Sequence, residues 1–254
     1  MSENGWNFKR EHRKGTAERM WAPIKLKLHP NYPYISKNIF LHILYYFGML
    51  IWMPVAYLIF KLRFGFKVID KKNVRLLKNT AAITVANHVH NMDSPLSTMA
   101  FYPNAPYYVA HPHNFEAFII GAIVRILRGI PLPTDISNFR RFSKQIDYEL
   151  RTSKKKIHFY PEGEIVPYSR ELRPFRKGAF QFAVKNEVPV LPMVFVFPGE
   201  NQIRLIVGEP IYLSAVPDTD NQKEVVQANM LCEYVKNEMQ KTMDEYYAGL
   251  PKAS

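Results

Sequence analysis

The chain has one cysteine, Cys232, in 254 residues. That excludes an intrachain disulfide framework, and nothing points to an oxidising compartment. Acidic residues are scarce too: 22 Asp and Glu stand against 34 Lys and Arg, a formal net charge of +12. Such an excess suggests an anionic partner, whether nucleic acid, anionic lipid or a phosphorylated substrate. Neither zinc-finger spacing nor an RNA-recognition signature accompanies the charge, so no nucleic-acid partner is expected. No G-x-S-x-G elbow occurs, and Cys232 lies far along the chain from the polar motifs below. Covalent catalysis through a serine elbow or a cysteine is therefore not expected. Internal repeats and low-complexity linkers are absent. A cleaved signal pattern is absent as well, because the first apolar run begins too late.

Hydrophobic residues make up 47% of the chain, enough for a sizeable core. The length suits one domain with an appendage. Residues 1–38 are polar and basic. From Ile39 to Phe60 the chain then carries no formal charge. As a helix this run would be roughly 33 Å long, enough to cross a bilayer core. Gly48 and Pro54 are expected to break it into two halves. Lys and Arg are abundant on both flanks, which conflicts with a simple span. The pattern fits a segment that dips into one leaflet, with both ends on the cytoplasmic face. The division that follows is a basic, membrane-associated region over 1–64 and an α/β domain over 65–254.

The stretch Ala81 to Leu96 organises that domain. Ala81 to Ala86 is apolar and β-branched, as in a buried strand. Asp93-Ser94-Pro95 reads as a helix start. The turn between them holds Asn87, His88, His90 and Asn91. Across such a turn Asp93 can hold one nitrogen of His88 and leave the other free to take a proton. Further strands are expected at 66–69, 106–110, 157–160, 188–193 and 203–207, with Ile130 to Pro133 extended. Helices are expected over 115–127, 139–151 and 221–247, the last with Asn221 and Glu224 as a capping box. Gly249 and Pro251 would end that last helix.

Later segments add to the turn. Tyr160-Pro161-Glu162-Gly163-Glu164 follows a short strand, and Pro161 with Gly163 would fix Glu162 beside the strand end. Arg173, Arg176 and Lys177 come shortly after, before a helix start. Val188-Pro189-Val190-Leu191-Pro192 places two prolines in an apolar strand.

These segments, in this order, resemble the glycerolipid acyltransferase family, which includes the lysophosphatidate acyltransferases. Asn87 to Asp93 is similar to its NHxxxxD motif, and Tyr160 to Gly163 to its FPEG motif with Tyr for Phe. The resemblance covers roughly residues 65–215. It implies a mixed sheet flanked by helices, after an N-terminal membrane-embedded helical segment. It also implies transfer of an acyl group from a thioester, acyl-CoA or acyl-carrier protein, to the hydroxyl of a lysophospholipid. No other cofactor and no metal is implied. His88 would be the base and Asp93 its orienting partner. Asn87, Glu162, Gly163, Arg173, Arg176 and Lys177 would serve the substrate. Pro133 appears where the family has an Arg that helps hold the acceptor's phosphate, which opens the acceptor to another lysolipid or an amino-lipid.

Two other classes compete. His88, His90, Asp93, His111 and His113 could ligate a metal in a hydrolase, although the HxHxDH order fails. A membrane-binding module without catalysis would explain the basicity but not the motifs.

Overall fold

A computed structural model describes residue 29 and residues 32–250, except residues 117 and 200. The basic stretch 1–28 and Pro251 lie outside the described residues.

The chain opens with α1 (Ile39–Phe64), followed by β1 (Lys67–Ile69) and a single-turn α2 (Lys72–Arg75). Next come β2 (Ala82–Ala86), α3 (Asp93–Phe101), β3 (Tyr107–Ala110), α4 (Phe118–Ile126) and β4 (Gly129–Pro131). They are followed by α5 (Ile136–Thr152), β5 (Lys156–Phe159), α6 (Gly178–Lys185), β6 (Val190–Val196), β7 (Arg204–Val207) and α7 (Glu224–Ala248). The seven strands form one sheet in the order β1-β7-β6-β2-β5-β3-β4. Every pairing is parallel except β6 with β7, so the sheet is mixed.

β2 lies at the centre of this sheet, and all five of its residues are buried. Its side chains alternate between two cores. Ile83 and Val85 face a core with α5, α6 and α7 residues such as Phe142, Phe180, Leu231 and Val235. Ala82 and Ala86 face the other core, with Phe64, Leu96, Met99 and Phe195. A sheet buried on both faces explains the continuous apolar runs in β2 and β6.

Three expectations are corrected. First, α1 is one unbroken helix through Gly48 and Pro54, capped at Gly65 in the left-handed region. At about 1.5 Å per residue it is about 39 Å long. It holds together because Tyr45, Met49, Met53, Ala56, Phe60 and Phe64 form one stripe docked on the domain. Second, α7 begins at Glu224 without a side-chain cap. Asn221 adopts a positive φ of 62° instead of capping. Third, β6 runs from Val190 to Val196 and passes through Pro192 inside the sheet. A proline has no N–H to give a neighbour. Here Gly208, just after β7, still donates to the Pro192 carbonyl at 2.9 Å, and its missing side chain leaves room for the ring. A Cβ on Gly208 would come within 2.8 Å of the Pro192 ring.

Packing also continues across residue 65. Tyr34 and Ile35, ahead of α1, are buried in the domain core. The Tyr34 amide donates to Gln145 on α5, and Gln145 donates to the Ile35 carbonyl. The chain therefore leaves the domain, runs along it as α1, and re-enters at β1.

Candidate active site

β2 and β5 are adjacent and parallel, so their C-terminal ends deliver two loops to one place. This is where open α/β sheets put their ligands. The loop after β2 carries His88 and Asp93. Asp93 starts α3 but does not cap it. Its Oδ2, fully buried, accepts from His88 Nδ1 at 2.8 Å and from the Val89 and His90 amides at 2.7 and 2.9 Å. With Nδ1–H given to Asp93, His88 Nε2 is left to act as a base. The His88 side chain is 22% exposed, so the ring is open to a ligand on part of its surface.

The loop after β5 closes over the same turn. Glu162 is 6% exposed, and its Oε1 accepts the His88 amide at 3.3 Å. Burial pushes its carboxyl up to about 7, against the lowering pull of the His88 and Arg173 amides. Val166 donates to the His88 carbonyl at 2.9 Å, tying the two loops together. Gly163 has a φ of +73°, and a Cβ there would lie 2.5 Å from Arg176 Nε. The Arg176 side chain thus lies across the turn, while its amide donates to Pro161 O. Arg173 pairs with Glu164 at 3.7 Å. Lys177 is exposed just ahead of α6.

The structure brings together His88, Asp93, Glu162 and Gly163, with Arg173 and Arg176 at the rim. Asn87, expected at the substrate, is engaged within the fold. Its amide donates to the Phe195 carbonyl and accepts the Phe195 N–H, at 3.0 and 2.7 Å, fixing the end of β2 to β6. Asn87 is 1% exposed, so the second N–H and lone pair of its amide are not presented at the surface of the site. The five candidate metal ligands do not converge: among the described residues no three His, Cys, Asp or Glu side chains form a metal site. His113 instead pairs with Glu116 at 3.0 Å.

Sequence reading missed the floor of the site. Tyr160 stacks on the His88 ring at 4.1 Å and 17°. Its hydroxyl lies 3.3 Å from Ser94 on α3, the helix that Asp93 begins. Beneath it, fully buried His158 meets Tyr160 edge to face at 4.5 Å. His158 Nδ1 bonds Thr84 at 2.8 Å, and burial with nearby His88 lowers its pKa to about 3. The aromatic first residue of the Tyr-Pro-Glu-Gly run was the only signal of this stack.

The comparisons with known proteins follow the same outline. The acyltransferase family model matches residues 65–196, from the residue after α1 to the end of β6. A chloroplastic 1-acyl-sn-glycerol-3-phosphate acyltransferase of Brassica napus is 24% identical over 178 residues, 65% of this chain. A Caenorhabditis elegans protein provisionally named as the same enzyme is 36% identical over 95 residues, 33% of this chain. The matches span 47% and 36% of those relatives' lengths. The crystal structure of the 1-acyl-sn-glycerophosphate acyltransferase PlsC from Thermotoga maritima is similar in fold, with a TM-score of 0.55 at 20% identity. That likeness covers 85% of this chain and 98% of that one. On the family match over more than half its length, this chain belongs to the acyltransferase family.

Proposed function

We propose that the chain moves a fatty acyl group from an acyl thioester to the free hydroxyl of a lysophospholipid, with 1-acylglycerol-3-phosphate as acceptor and phosphatidate as product. The observation that carries this reading is the His88–Asp93 pair, held by three bonds to one carboxylate oxygen at the end of β2. The acceptor hydroxyl attacks the thioester carbonyl while His88 Nε2 takes its proton. Asp93 keeps the proton of Nδ1 in place and stabilises the imidazolium that forms. As the C–O bond completes, the C–S bond breaks and the thiolate takes the proton from His88. No step requires an enzyme nucleophile, and Cys232 is buried on α7. The donor is acyl-CoA or acyl-carrier protein. The names of the two relatives support the acceptor class.

Arg176, beside Gly163, is the best-placed counter-charge for the acceptor's phosphate, with Arg173 and Lys177 next to it. Pro133, at the place of the family's Arg, favours a second reading with another lysolipid or an amino-lipid as acceptor. For the membrane, α1 supports an in-plane placement. It is long and apolar enough to cross a bilayer, yet both of its ends return to the domain. Its outer residues, among them Phe40, Ile43, Phe47, Leu50, Trp52 and Leu58, are exposed. In this reading the outer face lies in one leaflet on the cytoplasmic side.

The test is a panel of lysolipids offered with one acyl-CoA, with products identified by mass spectrometry. Phosphatidate from 1-acylglycerol-3-phosphate is expected, and His88→Ala should lose at least about a hundredfold in rate. Near-normal turnover in His88→Ala would overturn the assignment. Arg176→Ala should raise the acceptor KM by about tenfold and leave the thioester KM unchanged, since one charge-assisted contact is worth about 1.5–3 kcal/mol.

A further inference from the structure

A cavity of about 130 Å³ lies between the start of α1, the segment before it and the end of α4. It stands at the other end of the sheet from His88. Tyr107 and Gly129, which line it, begin β3 and β4, whereas His88 follows the end of β2. Two arginines line it, Arg125 and Arg128. Arg128 sits 3.8 Å from the Tyr45 ring centroid and 5.2 Å from that of Tyr107. It donates to the Ala105 carbonyl at 2.6 Å and to the Tyr46 hydroxyl at 3.4 Å, and its buried Nε has no partner. Arg125 donates through Nε to the Tyr32 hydroxyl at 3.1 Å. Among the described residues, neither arginine has a carboxylate within ion-pair distance. Two cations in one aromatic-walled cavity are therefore held by neutral groups alone, which leaves their charge available to an anion.

The surroundings identify the kind of anion. On one side α1 exposes Ile39, Phe40, Ile43 and Phe47. On the other α4 and the residue after it expose Ile119, Ile123 and Leu127, one stripe at helical spacing. Basic groups between two exposed apolar stripes match an amphiphile with a charged head and hydrocarbon tails. We propose that this cavity binds the phosphate of an anionic phospholipid, a bilayer lipid that is neither acceptor nor product. Arg125 and Arg128 hold the phosphate, and the acyl chains lie along the outer faces of α1 and α4. The proposal rests on the reading that α1's outer face meets a bilayer.

The test uses the full chain in neutral detergent, with native mass spectrometry to count retained lipid. Dioleoylphosphatidylglycerol should be retained at one molecule per chain, in preference to dioleoylphosphatidylcholine. Arg125→Gln should weaken retention by about tenfold, the size of one lost charge-assisted contact. Arg128→Lys keeps the charge but loses the planar fork, and should weaken it as well. If Arg128→Lys does not fold, Arg125→Gln, an exposed position, decides alone. Equal retention by wild type and Arg125→Gln overturns the site, as does equal retention of the two lipids. Arginine-dependent binding of inorganic phosphate without lipid retention overturns the lipid assignment in favour of a free phosphate. A separate arm sediments wild type with phosphatidylcholine vesicles. Failure to sediment counts against the in-plane placement of α1, while lipid retention in detergent still judges the cavity.

Discussion

Asp93 Oδ2 gathers one side-chain and two backbone donors, so the tautomer and ring plane of His88 are set by a single oxygen. Tyr160 sets the other side of that ring by stacking. The predicted outcome is that Tyr160→Phe keeps kcat close to wild type, since the ring remains. Tyr160→Leu should lower kcat by about tenfold with little change in KM, as expected for lost orientation. Equal kcat in both variants would remove Tyr160 from any positioning role. Two buried groups near the site act in opposite directions on stability. Glu162 is raised in the fold to about 7, so the native state holds its proton more tightly and stability falls as pH rises from about 4.5 to about 7. His158 is lowered to about 3, so the unfolded state takes the proton first and stability falls as pH drops from about 6.5 to about 3. Between pH 4.5 and 6.5 the two slopes oppose each other. Glu162→Gln should therefore unmask a steeper loss of Tm on acidification across that window. Thermal melts from pH 4 to 8 that give parallel profiles for the two proteins would contradict this. At this scale the His88–Asp93 pair was legible because both residues lie within one short turn. The Tyr160 stack and the turn of Asn87 toward Phe195 were not, because their partners come from strands distant in sequence.

Among the elements, the Pro161–Gly163 turn joins catalysis to charge. Gly163 holds a conformation that costs an L-residue roughly 1–2 kcal/mol. An alanine there would also meet the Arg176 guanidinium. Gly163→Ala is thus expected to displace Arg176 and raise the acceptor KM about as much as Arg176→Ala does, with a small fall in Tm. If KM stays at the wild-type value while Tm falls, the turn does not position Arg176 for the acceptor. Most strands were readable from apolar runs, since β2, β5, β6 and β7 are buried and bounded by polar or glycine-containing turns. The failures share a cause: non-local packing overrode local preference. Pro54 did not break α1, because a docked stripe from Tyr45 to Phe64 supports both halves. Asn221 did not cap α7, because the chain arrives there through positive φ at Asp218 and Asn221. Tyr34 and Ile35 carried no periodic signal, and only their contacts with α5 show that they belong to the core.

Seen whole, the molecule has one apolar flank, with α1 running along it from the arginine-lined cavity to Phe64, whose ring lies 6.2 Å from that of His90. If that flank meets lipid, the catalytic turn lies beside the leaflet that supplies its acceptor. Replacing Ile43, Phe47 and Leu58 together by Asp should release the protein from phosphatidylcholine vesicles, since each buried apolar side chain contributes roughly 1.5–3 kcal/mol. Activity on detergent-dispersed substrate should survive the change. Full sedimentation of the triple variant would show that α1 does not hold the protein to lipid. The overall architecture was legible from the motifs and their order, but the docking of α1 along the domain as one helix was not, because hydropathy does not show which side chains a helix packs against the core. The two ends of the sheet have a consequence of their own. Both edge strands, β1 and β4, are three residues long; β1 exposes Lys67, and β4 ends in Pro131. Copies confined to a two-dimensional surface collide far more often than copies in free solution, and long open edges would template strand exchange between them. Short borders, one with an exposed lysine and the other ending in proline, disfavour such exchange between neighbouring copies.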